Sequence, residues 1–262
     1  EKELFGKEMK GSLIERANRI TGLVLVNQPH RPSLIFTINA LEWTLQQEIS
    51  QGPIEERLVK LEKLLLGETK SGSISSRIGD LINSSLPQGK IKVGEAEIPA
   101  HTLVKIEFLE KVDSKELKEG DKIEYIVVRD LLVDGKLVLA AGTKGEAIAA
   151  EVEQAEYFGQ EGKIKLDFNT VKLIDATKVG LNIAKKSQEK NEKMKWAVGA
   201  SIIGTAVLGP AGLVTGYFVK GEEAVIEPHK KFYVETKTPV VAYGIPLEGS
   251  DSLESDKEEK DK

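Results

Sequence analysis

The chain has 262 residues, 40% hydrophobic and 30% charged, which permits a sizeable packed core and excludes wholesale disorder. Its 37 Lys and Arg against 42 Asp and Glu leave a net charge of −5, which argues against nucleic acid as the main partner. There is no cysteine and there are only three histidines, so disulfides, thiolate zinc sites, cysteine nucleophiles and His-rich metal sites are excluded.

Aromatic residues make up only 5% of the chain, so a core has to come mainly from Leu, Ile, Val and Ala. The first residue is Glu1, as expected of a chain whose signal peptide has been removed, and an extracytoplasmic or cell-envelope location is the matching expectation.

Residues 1–85 read as helical. Ser33 to Ser50 follows Pro32 and sets Leu34, Ile38, Leu41 and Leu45 on one stripe. Pro53 opens a second amphipathic run, with Ile54, Leu58, Leu61 and Leu65 at three- and four-residue steps and Gly67 at its stop. Ser73 caps a third, carrying Ile74, Ile78, Leu81 and Ile82. None is apolar enough to stand alone, so they must pack on each other, on another chain or on the domain that follows.

A short repeat lies within this region. At an offset of 61 residues, Glu1, Lys2, Leu4, Gly6, Gly11, Ser12 and Arg16 fall on Glu62, Lys63, Leu65, Gly67, Gly72, Ser73 and Arg77, seven identities in sixteen positions without a gap. Each of these two copies reads as a helix end, a Gly stop, a turn and a Gly-Ser cap on a new helix. The pattern resembles a helical repeat of bacterial cell-envelope proteins, which implies a setting and no activity.

From about residue 90 to 246 the period changes to two. Val104, Ile106 and Phe108 alternate with Lys105 and Glu107; Ile148, Ala150 and Val152 with Glu151 and Glu153; Ile164, Leu166 and Phe168 with Lys165 and Asp167. Asp121 to Val133 is a longer β-rich run, Asp134-Gly135 is a strong hairpin turn, and Gly159 and Gly162 bracket another. Strands of this length with short turns predict an antiparallel barrel or sandwich, and the fold class is α+β. His101 and His229 sit in similar Pro-containing corners, read either as a paired site or as two turn-tip residues. The second is the better reading, because two nitrogens without a carboxylate make a poor metal site.

Trp196 to Val219 is a run of 24 residues without a charge, preceded by Lys193 and Lys195 and closed by Tyr217, Phe218 and Lys220. Gly209, Pro210 and Gly212 place a turn in its middle, so neither arm is long enough to cross a bilayer as an independent helix. Ala200 and Gly204, Ser201 and Thr205, and Gly212 and Gly216 put small residues at four-residue spacing, which lets backbones approach closely. With Gly199 the run holds five glycines, more than a core element needs. The expected contact residues, with a membrane or with further copies in a homo-oligomer, are Trp196, Gly199, Ala200, Gly204, Gly209, Pro210, Gly212, Gly216, Tyr217 and Phe218. The competing reading makes this run part of the core of a soluble module that binds peptide or glycan.

The order of Ile98-Pro99-Ala100-His101-Thr102, Ser114, Gly120, Asp130, Leu139-Ala140-Ala141-Gly142-Thr143 and the Gly159–Gly162 turn resembles the β-barrel domain of the TrbI-type channel subunit of type IV secretion systems. In that family a helical hairpin inserted between late strands reaches the outer membrane, and residues 196–219 hold a comparable place. Ala140-Ala141 stands where the family has Pro-Gln. The resemblance implies a barrel with an apolar insertion and envelope partners.

No phosphate-binding loop, His-Glu-x-x-His, Gly-x-Ser-x-Gly or EF-hand spacing occurs, so neither a catalytic residue nor a cofactor or metal ligand is expected, and the reading is a non-enzyme. Residues 247–262 are expected to be a disordered charged tail, with six acids against three lysines in 251–262.

Overall fold

The computed structural model describes residues 1–28, 31–86, 89–155, 162–197 and 223–247, with the backbone alone for 192–197. The fold is α+β, as the change of period requires. Five helices come first: α1 (Lys2–Phe5), α2 (Leu13–Leu25), α3 (Leu34–Gln46), α4 (Ile54–Leu66) and α5 (Ile74–Ser85). Ser12, Ser33 and Ser73 cap three of them, each hydroxyl accepting a backbone N–H three residues on. Helix α3 stops short of Ser50, because Gln47 turns left-handed (φ 56°) and the Glu42 carboxylate accepts the Ser50 N–H at 2.9 Å.

The repeat has a third copy that sequence comparison missed. Glu1 is paired with Arg16, Glu42 with Arg57 and Glu62 with Arg77, each at a separation of fifteen residues. Glu42 takes two guanidinium bonds, from Nε at 3.0 Å and Nη2 at 2.7 Å, and Glu62 takes the same two at 2.7 and 2.8 Å. The other partner of the carboxylate is the loop N–H eight residues on, from Met9, Ser50 or Lys70. One carboxylate at the end of a helix thus fixes both the connecting loop and the start of the next helix. The loops agree too. Gly11, Gly52 and Gly72 have φ of 121°, 122° and 120°, a region closed to other residues. Gly6, Gln47 and Gly67 are left-handed at the helix stops.

Around these clasps Leu34, Ile38, Leu41, Leu58, Leu61, Ile74, Ile78 and Leu81 form one apolar cluster. A second cluster joins the bundle to the rest of the chain: Phe36 and Ala40 of α3 pack on Leu137, Ile174 and Ile245. Between the two lies Asn39, whose Nδ2 donates to the Ile174 carbonyl at 2.6 Å while its Oδ1 accepts from Arg57 at 2.5 Å. The helices therefore pack on each other and on the following domain.

Among the described residues that domain holds thirteen strands. Its large sheet has seven, in the order β8 (Lys163–Asp167), β7 (Lys144–Glu153), β4 (Lys122–Val127), β2 (Leu103–Phe108), β12 (Lys231–Thr236), β10 (Lys178–Asn182) and β9 (Thr170–Lys172), and it curls until β9 comes beside β7. A four-stranded sheet follows the order β1 (Gly94–Ile98), β13 (Val240–Pro246), β6 (Lys136–Leu139) and β5 (Leu131–Val133). The short strands β3 (Val112–Asp113) and β11 (Val225–Ile226) pair apart from both. Among the described residues every strand pairing is antiparallel. Aliphatic residues dominate the core, yet four rings share its middle, with Phe108 5.2 Å from Phe232 and Tyr125 6.0 Å from Phe168. Tyr125 leaves no room at Gly145, where a Cβ would lie 2.2 Å from the ring.

Two strand readings are corrected. In β7 the buried residues are Gly145, Ala147 and Ala149, while Ile148 is half-buried and Ala150 exposed; a bulge between Ala149 and Glu151 shifts the pairing with β8. The run Asp121–Val133 divides into β4 and β5, and in the gap Asp130 accepts the Ala141 N–H at 2.7 Å. The Asp134-Gly135 turn is present, both residues at positive φ (47° and 69°).

Two outcomes follow from the clasp and the junction. Glu62 is fully buried, and the Arg77 guanidinium holds its carboxyl below the ordinary range. Its contribution is complete above the ordinary carboxylate pKa and fades as pH falls through the lowered value. Glu62→Ala leaves Arg77 buried without its main partner and should cost about 3 kcal/mol in urea unfolding at neutral pH. That gap should narrow below about pH 4. Phe36→Ala should remove about 3 kcal/mol from the junction and split one calorimetric transition into two.

Candidate functional site

The described residues on either side of 198–222 form a built base. Helix α6 (Lys185–Ala197) leads into that stretch, and Glu223 receives the chain on the far side. The helix lies along β12, and its grip is a side-chain amide acting as a strand. Asn191 Nδ2 donates to the Tyr233 carbonyl at 2.9 Å, and its Oδ1 accepts the Tyr233 N–H at 2.6 Å. Strand β10 pairs with β12 only at Thr236 and Glu235, so Asn191 completes the ladder where β10 has ended. Lys190 and Lys105 each place an ammonium about 5.5 Å from the centre of the Tyr233 ring.

At the start of α6 the Ser187 hydroxyl accepts the Ala184 N–H at 2.9 Å and stands 3.2 Å from the Glu235 carboxylate, which is fully buried. The other oxygen of Glu235 is 3.2 Å from His101 Nδ1. An equivalent contact occurs at the other end of the same strand pair, where His229 Nδ1 is 3.3 Å from Glu107. Both histidines are left-handed (φ 61° and 59°). His101 donates its backbone N–H to Thr236, and His229 donates to Phe108, so they close opposite ends of the β2–β12 pair. They are two turn-tip residues, each on its own glutamate, and do not converge on a shared site.

The return end is held as firmly. The Glu223 carboxylate accepts the Ser114 hydroxyl proton and the Ala155 N–H at 3.0 Å. Ser114 is fully buried; its oxygen accepts the Ala224 N–H at 2.9 Å, and its own N–H reaches the Ala224 carbonyl at 2.9 Å. Gly162 is pressed against this knot: a Cβ there would stand 2.5 Å from the Ser114 oxygen. Beside it, Asp113 pairs with Lys111 at 2.7 Å and accepts the Lys115 N–H at 2.9 Å.

Of the residues predicted to make membrane or oligomer contacts, the backbone of Trp196 lies in the last turn of α6. Gly199, Ala200, Gly204, Gly209, Pro210, Gly212, Gly216, Tyr217 and Phe218 lie outside the described residues, as do the Gly159 turn, His30 and the tail 248–262. Among the described residues no helix is long and apolar enough to cross a membrane, and no group of three His, Asp or Glu could hold a metal ion. The groups that fix the base, Ser114, Asn191, Glu223 and Glu235, escaped sequence reasoning. Only Ser114 carried any signal, as one position of the secretion-channel resemblance.

No family model matches the chain, and no curated protein matches it. Among solved structures it has a weak likeness to ComB10 of the Com type IV secretion system of Helicobacter pylori, with 12% identity and a TM-score of 0.31 over 55% of this chain and 89% of that one.

Asn191→Leu strips two hydrogen bonds from the Tyr233 backbone and should cost about 2 kcal/mol. Amide exchange over 185–197 should quicken in that variant while exchange in β4 and β7 stays unchanged.

Proposed function

We propose that this chain is a non-enzymatic structural or assembly protein of a bacterial cell envelope, and that residues 196–219 are its contact with a membrane or with further copies of itself. The observation that carries this reading is the base itself. A run of 24 uncharged residues leaves a curled sheet between two points fixed by side-chain hydrogen bonds, Asn191 on Tyr233 and Ser114 on Glu223. A stiff base gives an apolar segment a defined direction, and this favours a contact device over chain that fills an interior.

The approach to the segment is basic. Helix α6 carries five lysines against two glutamates, which favours an anionic headgroup surface at its end. The TrbI-type order of motifs agrees with an apolar insertion at this place, and the Glu–Arg repeat of residues 1–77 suits a bundle that meets other envelope proteins. The reading assigns no catalytic group and no cofactor.

The test is light-scattering mass after size exclusion, with and without mild detergent, on the full chain and on one in which Gly-Ser residues replace 196–219. An oligomeric or detergent-bound full chain beside a folded, monomeric shortened chain is the expected result. If both are monomers free of detergent, or the shortened chain unfolds, the segment is interior structure and the soluble binding module takes its place.

A further inference from the structure

A cavity of about 310 Å³ lies between α1, the second half of α2 and the loop that leads into α3. Phe5, Met9, Leu23 and Pro32 form its apolar wall, and Arg19 and Arg31 line it as well. That volume is at the small end of the range for small-molecule sites. Glu1 is tied to Arg16, ahead of the stretch of α2 that lines the cavity, so the walls belong to chain that the structure describes.

The site is built rather than loose. Asn27 Oδ1 accepts the Ser33 N–H at 2.8 Å, and Gln28 and Arg31 exchange backbone hydrogen bonds at 3.1 and 3.0 Å, so the loop that carries Arg31 is closed on itself. Arg19 is held by donating from Nη2 to the Lys10 carbonyl. Among the described residues no hydrogen bond or ion pair engages the Arg31 guanidinium. The local charge is positive too: residues 1–33 carry six Lys and Arg against four Glu, in a chain whose net charge is −5. Gly22 also lines the cavity, although a glycine inside a helix is destabilising. A Cβ there would meet nothing within 4 Å, so packing does not require the glycine, and its effect is to keep the cavity open.

We infer that this cavity binds a medium-chain aliphatic carboxylate, the headgroup on Arg31 and Arg19 and the chain against Phe5, Met9, Leu23 and Pro32. A guanidinium takes a carboxylate through two parallel N–H bonds, and Arg31 has its donors to offer. The apolar wall rewards a hydrocarbon chain in proportion to the length it buries. A phosphorylated sugar or nucleoside would set its hydroxyls against that wall without partners. The site is independent of residues 196–219.

Isothermal titration of the full chain with decanoate, kept below its micelle concentration, reads the binding directly. Affinity should rise about threefold for each methylene from hexanoate to decanoate. Decanol, with the chain and no charge, should bind about tenfold more weakly than decanoate. Arg31→Gln should weaken decanoate about tenfold and leave decanol unchanged; Arg31 is exposed, so this variant keeps its fold. Gly22→Leu takes a glycine out of a helix and fills the cavity, so the helical circular-dichroism melt should hold or rise while decanoate binding is lost. Absence of binding, equal affinities for decanoate and decanol, or a decanoate affinity unchanged by Arg31→Gln overturns the proposal.

Discussion

The helical half of the molecule depends on a carboxylate placed where a helix ends. Two features make Glu42 and Glu62 effective: each faces an arginine fifteen residues on, and each takes the N–H of a loop residue halfway between. Burying both charges is expensive, and removal of either partner leaves the other stranded. Three short helices with modest apolar stripes would otherwise have many ways to pack. The clasp selects one, because a carboxylate that must meet both a guanidinium and a fixed loop amide tolerates little change in crossing angle or loop path. The positive φ at Gly11, Gly52 and Gly72 recurs two residues beyond each of those loop amides.

From the clasp the constraint passes to the sheet. Arg57 is bound to Glu42 on one side and to Asn39 on the other, and Asn39 in turn holds the Ile174 carbonyl of the β domain. One polar chain thus runs from the repeat into the sheet, with Phe36 and Ala40 packed beside it. Helix α3 belongs to both halves. Buried networks of this kind confer a particular arrangement more than they add stability, and here the arrangement is that of the helices relative to the sheet.

Much of this could be read from the chain. The caps at Ser12 and Ser73, the stop at Gly67 and the hairpin at Asp134-Gly135 are local, and local chemistry decides them. Two copies of the repeat were visible because their Gly and Ser positions are identical. The third escaped because Gln47 and Pro53 stand where the others have Gly and Ser, although the geometry is the same. The face of β7 was misjudged because a bulge changes the parity of a strand without changing its composition. The base of the apolar segment left no trace in the sequence beyond Ser114. Asn191 on Tyr233 and Ser114 on Glu223 are contacts between residues 42 and 109 positions apart, and no periodicity encodes them.

The seam between β2 and β12 has a consequence for assembly. Its strands are equivalent at an offset of 128 residues, His101 and Glu107 matching His229 and Glu235, and each histidine closes on the other strand's glutamate. A nascent chain cannot form this pair until β12 has emerged, by which time the uncharged run has already been synthesised. Closure of the large sheet is therefore a late, long-range event. Until then the central strand of the seven, β2, lacks its neighbour on one side, so the order of synthesis sets how long that edge stays open.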